Sequence, residues 1–143
     1  MSTRRAASID RRYLLFVVKY DNISLRTKVT RTTRPISWVS AARKEFDSFP
    51  EGAQAICLTA LTIAAEGGKA DIAKPLKGLG TGVMEIALPY RGNAFRVVYV
   101  VQIGAELWVV HAFQKKSTQG IKTPRHEVHL IAARVKRLKE MLR

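Results

Sequence analysis

The hydrophobic positions of this chain change their period several times, and each change predicts a new element. Ile36 and Trp38 alternate with a polar serine and predict a short strand. Residues 41–47 predict a brief helix. A second helix follows, and Ser48 with Glu51 predicts a capping box at its start. The predicted buried stripe of this helix consists of Ile56, Ala60, Leu61 and Ala64.

Three predicted strands then follow in quick succession. They cover residues 83–89, 95–103 and 107–113. The connections Arg91-Gly92-Asn93 and Gly104-Ala105 are short enough for hairpins. We therefore expect a three-stranded antiparallel meander.

A last helix is predicted to begin after Thr123-Pro124, and residues 69–82 ahead of the sheet are predicted to form a glycine-rich loop. The order strand, helix, helix, three strands and helix indicates the α+β class, with helices packed against one antiparallel sheet. The other face of the sheet is expected to be free as a working surface. Arg96 and Val98 should share one face and Val97 the other. The predicted buried stripe of the last helix consists of Val128, Ile131, Ala132, Val135, Leu138 and Leu142.

Charge is unevenly distributed over the 143 residues. The 25 Lys and Arg residues outnumber the 11 Asp and Glu residues, which gives a formal net charge of +14. Residues 1–34 and 111–143 each carry nine basic and two acidic residues, whereas residues 35–110 carry seven of each. A neutral middle between two basic ends predicts that the middle builds the core and that the ends contact a polyanion.

The chain is long enough for one domain preceded by an arm. We expect residues 1–33 to form a basic arm that is disordered or adds one strand, and residues 34–143 to form the folded domain. The single Cys57 cannot form an internal disulfide, which favours a reducing compartment. No apolar stretch approaches the roughly 18 to 20 residues that cross a bilayer. We therefore expect a cytoplasmic protein with no membrane partner.

Common motifs for nucleotides and metals do not fit the sequence. Residues 78–82 are rich in glycine, but they precede a strand instead of following one and lack the closing Gly-Lys-Ser/Thr of a phosphate loop. His126 and His129 are three residues apart, which is not the spacing of the helical zinc motif, although His111 and Cys57 would make four ligands on paper. We expect no metal and no cofactor.

Basic residues clustered around the predicted sheet indicate a different chemistry. Lys74 and Lys77 precede the sheet, Arg96 lies in its long strand, and Lys115-Lys116 follow the last strand. If they converge on one sheet face, they form a cationic pocket that grips phosphates and stabilises a pentacoordinate phosphorane. RNA brings its own nucleophile, the 2′-hydroxyl, so such a pocket can support cleavage without a metal. A passive phosphate cradle has the same residues, and both interpretations stay open.

Several segments of the chain, in order, carry a family resemblance. They are Lys74-Pro-Leu-Lys-Gly-Leu-Gly, Gly82-Val-Met-Glu-Ile, Phe95-Arg-Val-Val-Tyr, Val110-His-Ala-Phe-Gln-Lys-Lys, Thr123-Pro and Ala133-Arg134. They look like the HigB branch of the RelE/ParE toxins, and more closely like its phage-derived HigB-like subfamily. The likeness covers about residues 34 to 141 and leaves the arm outside it.

This resemblance implies an antiparallel sheet flanked by helices and the toxin half of a type II toxin–antitoxin pair. Members related to HigB and RelE cut messenger RNA without a metal, typically on the translating ribosome, and leave a 2′,3′-cyclic phosphate or a 3′-phosphate. The implied partners are a cognate helix-turn-helix antitoxin of the HigA or Xre-like type, in a hetero-oligomer, together with messenger RNA and the ribosome. Two alternatives stay open, because ParE-like toxins poison DNA gyrase and a non-catalytic basic RNA-binding module also accounts for the charge.

The resemblance also assigns roles to individual residues. Arg96 and Lys115 or Lys116 would contact the scissile phosphate, and one lysine would act as the general acid. The full set with an implied catalytic role is Arg96, Lys115, Lys116 and Lys77. The set expected to bind the RNA backbone is Lys74, Lys77, Arg91, Lys122 and Arg125. Structural or orienting roles are expected for His111, Phe113 and Glu85.

Overall fold

A computed structural model of the chain describes residues 33–115 and 122–142, which form an α+β fold as predicted. The predicted glycine-rich loop contains one additional short strand, and the remaining elements match the predicted order. The expected arm lies outside the described residues apart from Thr33, so it stays a prediction. In chain order, the elements are β1 (Ile36–Trp38), α1 (Ser40–Asp47), α2 (Glu51–Ala65), β2 (Ala73–Pro75), β3 (Val83–Tyr90), β4 (Asn93–Ile103), β5 (Glu106–Lys115) and α3 (Arg125–Met141).

The five strands form one mixed sheet in the order β1-β5-β4-β3-β2. Strands β2 to β5 are antiparallel neighbours, so the predicted meander is confirmed and β2 extends it at one edge. Strand β1 runs parallel to β5, with Ile36 opposite Leu107. The β3–β4 turn consists of Arg91 and Gly92, both with positive φ (50° and 80°), as a tight hairpin turn requires.

Helices α1 and α2 pack on one face of the sheet, where the larger core lies. Trp38 and Phe46 are in ring contact there, with centroids 5.0 Å apart. Val97 and Tyr99 face the same core from β4, as the strand alternation predicts. Burial raises the pKa of Tyr99. The buried residues of α2 are Ala53, Cys57, Ala60, Leu61, Ala64 and Ala65.

Two predictions about α2 are wrong. Ile56 is 41% exposed, because the helix turns its smaller neighbours Ala53 and Cys57 toward the core instead. Ser48 does not cap α2, since its hydroxyl donates to the carbonyl oxygen of Glu45, 2.6 Å away, at the end of α1. The last carbonyls of a helix lack partners within that helix, and Ser48 satisfies one of them. Pro50 occupies the N-cap position of α2.

Helix α3 crosses part of the opposite face, so that face is not free as predicted. Ile131 and Val135 of α3 pack in a second core with Val98 and Val100 of β4. These valines would otherwise face water, and burying an apolar side chain contributes roughly 1.5 to 3 kcal/mol. Arg96 lies two residues before Val98 on the same face, so it occupies the part of the face next to this second core.

Candidate functional site

The part of the sheet next to the second core brings most predicted site residues to one face. In the ladder Glu85 lies opposite Val98, and Val98 lies opposite His111. In the next row Arg96 lies opposite Phe113. Residues opposite one another in a ladder share a face, and so do alternate residues along a strand. This face therefore carries Glu85, Arg96, His111, Phe113 and Lys115.

Arg96 and Glu85 form a buried ion pair on this face. The Nη1 atom of Arg96 lies 3.2 Å from Oε1 of Glu85, and the two side chains are 7% and 1% exposed. Thr123, just before α3, donates its hydroxyl hydrogen bond to Oε2 of the same carboxylate. A buried charge is tolerated when it is paired and hydrogen-bonded, and Glu85 meets both conditions. The carboxylate therefore contacts both Arg96 and Thr123, and the orienting role expected for Glu85 stays a prediction.

Lys115 ends β5 in the row beyond Arg96, where it lies opposite Ala94. It is 7% exposed, so a second basic side chain is buried on the face that carries the Arg96–Glu85 pair. Lys116, the second lysine of the predicted pair, lies outside the described residues.

His111 is buried and has a partner at each ring nitrogen. Its Nε2 atom lies 2.6 Å from Oε1 of Glu127 on α3, and its Nδ1 atom lies 3.2 Å from Oε1 of Glu45 on α1. Nη1 of Arg134 is 2.9 Å from the same Nδ1 and donates to Glu45 and to the carbonyl oxygen of Val110. The cluster therefore joins α1, β5 and α3 around one imidazole.

Phe113 packs on this cluster. Its ring is stacked on the imidazole of His111, with centroids 5.2 Å apart and planes 27° apart. Phe113 is buried, so its ring supports the histidine from within the fold. The orienting roles expected for these two residues stay predictions.

Sequence reasoning missed the three partners of His111. Glu127 and Arg134 are seven residues apart, which is two helical turns, so both lie on one face of the last helix. That spacing was the available signal in the sequence. Glu45 gives no such signal, because its approach to His111 depends on how α1 packs against β5.

Exposed basic residues border the face. Lys74 lies opposite Glu85 at the edge of the sheet, and Arg91 lies in the β3–β4 turn. Lys122 and Arg125 stand at the start of α3, close in sequence to Thr123. All four basic residues are exposed, so we refer to Lys74, Arg91, Lys122 and Arg125 as the basic rim.

Lys77 is not brought together with Arg96. The backbone N–H of Leu76 donates to the carbonyl oxygen of Val83, which places Lys77 near the start of β3. Val83 lies four residues before Ala87, the partner of Arg96 in the ladder, and this spacing corresponds to about 13 Å along the strand. Lys77 is exposed at that distance, outside the group that surrounds the ion pair.

The sequence of the chain matches a known protein family over this region. Residues 44–136 match the family described as phage derived protein Gp49-like (DUF891), and this is more than half of the chain. The chain belongs to the Gp49-like family. Curated proteins give no match to it.

Gp49-like proteins are part of the RelE/ParE-like toxins, so the predicted relationship to that larger family is confirmed. Membership associates the chain with the toxins of toxin–antitoxin systems and implies an antitoxin partner. The matched residues include the whole of β2 to β5 and therefore the Arg96–Glu85 pair. Within residues 33–115 and 122–142, none of the helices has the length and apolar character needed to cross a membrane.

Proposed function

We propose that this Gp49-like toxin belongs to the HigB branch of type II toxin–antitoxin systems and cleaves messenger RNA on the translating ribosome, in the cytoplasm. The observation that carries the proposal is the adjacency of Arg96 and Lys115 on one sheet face inside the basic rim. A cognate helix-turn-helix antitoxin of the HigA or Xre-like type neutralises it in a hetero-oligomer.

The proposed reaction uses the 2′-hydroxyl of the RNA as the nucleophile. Its oxygen attacks the neighbouring phosphorus, its proton passes to solvent, and the bond from phosphorus to the 5′-oxygen breaks. The products are a 2′,3′-cyclic phosphate and a 5′-hydroxyl. Arg96 stabilises the negative charge that develops on the phosphorane oxygens. Lys115 or Lys116 donates a proton to the departing 5′-oxygen as the general acid.

Glu85 supports this chemistry by fixing the guanidinium of Arg96. A positioned donor costs little reorganisation when charge develops in the transition state. Because Arg96 is largely buried, the RNA meets the exposed basic rim before it reaches Arg96. Lys77 contacts a phosphate farther along the strand.

The test is a map of new RNA 5′ ends within minutes of inducing the protein. We expect cuts inside translated frames for the wild type and a loss of about 100-fold in their number for Lys115→Met, which removes a general acid or phosphate ligand. Lys44→Met is the control, because Lys44 is an exposed lysine of α1 that belongs neither to the residues of the face nor to the basic rim. Folding of each variant is checked by circular dichroism and thermal unfolding.

The other outcomes separate the alternatives. Growth arrest with intact messages would favour a gyrase poison over a nuclease, and relaxed plasmid DNA with trapped cleavage complexes would identify it. Binding of RNA in vitro without cuts or arrest would favour the passive module. If a folded Lys115→Met variant cleaves RNA at the wild-type rate, Lys115 is not the general acid.

A further inference from the structure

An apolar groove of about 420 Å³ lies beside the second half of α3, apart from the basic rim. Trp38 and Trp108 lie at its base, and both indoles are buried. Leu138 and Met141 of α3 line one wall, and the side chain of Met141 is 62% exposed. The opposite wall comes from the residues that follow β1, namely Val39, Ser40 and Ala41.

Both charged residues that line the groove are basic. Arg134 and Arg137 are its charged lining residues, and no acidic side chain among the described residues lines it. Arg134 is held by Glu45 and by the carbonyl oxygen of Val110. Arg137 is exposed and forms no ion pair within residues 33–115 and 122–142. The groove therefore combines exposed aliphatic surface with an available cation.

We propose that this groove binds an acidic segment of the cognate antitoxin. Apolar side chains of the segment pack on Leu138 and Met141, and a carboxylate of the segment pairs with Arg137. A charged rim around apolar contacts sets the orientation and partner choice of such an interface. The inference rests on the toxin role in the proposed function, and it is independent of whether the toxin cuts RNA.

Charge distinguishes this occupant from the other candidates. Residues 1–34 carry a net charge of +7 and a second copy carries +14, so neither offers Arg137 a net complementary charge, and Arg134 is already paired with Glu45. RNA has the required charge but binds such sites by stacking bases on aromatic rings. Trp38 and Trp108 are 0% and 4% exposed, so they offer no stacking surface, and the accessible lining is aliphatic.

The experiment measures binding of the full chain to the purified product of the gene adjacent to its own. Arg137→Glu and Met141→Glu change exposed groove residues and should each raise Kd at least tenfold. Lys136→Glu is the matched control, because it makes the same charge change on the adjacent residue, which lines a depression on the other side of α3. We expect its Kd to stay within threefold of the wild type.

Toxicity is measured alongside binding. Arg137→Glu should arrest growth as the wild type does when it is expressed alone, and co-expression of the adjacent gene should no longer rescue growth.

If the wild type cuts no RNA, the proposed nuclease function fails and the comparison of Kd values is unaffected. If the adjacent product does not bind, or binds Arg137→Glu and Met141→Glu within threefold of the wild type, the groove is not the docking site. An equal loss of affinity for Lys136→Glu would mean that the overall charge of the protein, and not the groove, determines binding, and it would overturn the proposal.

Hydrogen exchange of the isolated full chain tests the other occupants. Exchange of residues 137–142 should be independent of protein concentration and unchanged by Leu14→Asp, which disrupts the apolar run in residues 13–18. Faster exchange in Leu14→Asp would assign the groove to that run. Protection that grows with protein concentration would assign it to a second copy. Either result would contradict the antitoxin proposal.

Discussion

Thr123 donates its hydroxyl hydrogen bond to Glu85, the same carboxylate that pairs with Arg96. One buried charge thus connects the segment before α3 with strands β3 and β4. The orientation of Arg96 and the start of α3 depend on the same group. The effects of substitutions at Thr123, Glu85 and Arg96 on the free energy of unfolding are therefore expected to be non-additive.

Arg96→Ala is expected to lower the free energy of unfolding by about 3 to 5 kcal/mol, because it leaves Glu85 buried without its counter-ion. The double variant that combines Glu85→Leu with Arg96→Ala removes both charges and should lose clearly less stability than the sum of the two single changes. Urea unfolding of all four proteins measures the coupling. Strict additivity would mean that the ion pair does not contribute as a unit.

A second consequence of this pair concerns toxicity assays. Loss of toxicity in Arg96→Ala follows from unfolding as readily as from lost chemistry. Arg96→Lys retains the positive charge beside Glu85 and should remain folded, while a lysine lacks the planar fork that matches phosphate oxygens. A catalytic role predicts that Arg96→Lys is stable and yet cleaves RNA at least tenfold more slowly. Cleavage at the wild-type rate would restrict Arg96 to a structural role.

Thr123→Val is expected to destabilise the fold by about 1 kcal/mol, since it removes one of the hydrogen bonds to a buried carboxylate. Thr59→Val is the control. The Thr59 hydroxyl donates to the carbonyl oxygen of Ala55 on an exposed helix surface, and its loss should stay within about 0.5 kcal/mol. Thermal unfolding of both variants provides the comparison, and equal effects would argue against a special role for Thr123.

Cys57 is the single cysteine of the chain and lies in the core, where burial raises its pKa to about 12. The protonated thiol reacts slowly, so labelling by a disulfide reagent at pH 8 should occur only when the protein opens. We expect native labelling to be about 1,000-fold slower than labelling in 8 M urea, which is the control. Rapid labelling of the native protein would show that α2 separates from the sheet far more often than the packing suggests.

Glu106 gives a prediction about pH. Burial raises the pKa of its carboxyl group, and the hydroxyl of Ser37, which donates to it at 3.1 Å, offsets part of this effect. A raised pKa means that the folded state prefers the protonated form. The stability that this shift contributes is fully present below the ordinary carboxyl pKa of about 4.3. It is lost as the pH rises through the pKa that Glu106 has in the folded protein.

Glu106→Gln should remove this dependence, because glutamine does not ionise and still accepts the hydrogen bond from Ser37. Relative to the wild type, the free energy of unfolding of this variant should increase as the pH rises from 4 to 7. Glu140→Gln, at an exposed position of α3, serves as the reference. A difference that does not change with pH would contradict the prediction.

Lys74→Ala should weaken RNA binding similarly for all sequences, because a rim lysine contacts the phosphate backbone. The slope of log K against log salt concentration should fall by about one unit. Lys44→Ala removes an exposed lysine from α1 and should leave the slope unchanged. Filter binding over a range of salt concentrations measures both slopes. Equal slopes for Lys74→Ala and Lys44→Ala would show that Lys74 is not part of the RNA interface.

Local sequence patterns predicted the features that depend on local periodicity. The alternation of β4 placed Arg96 and Val98 on one face and Val97 on the other, and the structure has them there. The hairpin at Arg91 and Gly92 was predicted from turn chemistry within a few residues. These features are local, so a single sequence contains the information that specifies them.

Features that depend on contacts between distant elements were not predictable in the same way. The ion pair of Glu85 with Arg96 depends on the register of two strands, and the contact of Thr123 with Glu85 depends on the path of the chain after β5. Strand β2 was missed because its three residues include Pro75 and sit in a glycine-rich stretch that favours a loop. Family likeness offered candidate residues but did not indicate which of them pair.

The parallel pairing of β1 with β5 affects how this protein is made. Ile36 is synthesised about 70 residues before Leu107, its neighbour in the sheet. Contacts of such long sequence separation form late, because the intervening loop must close. The nascent toxin therefore cannot complete the described sheet until β5 has followed β1 out of the ribosome.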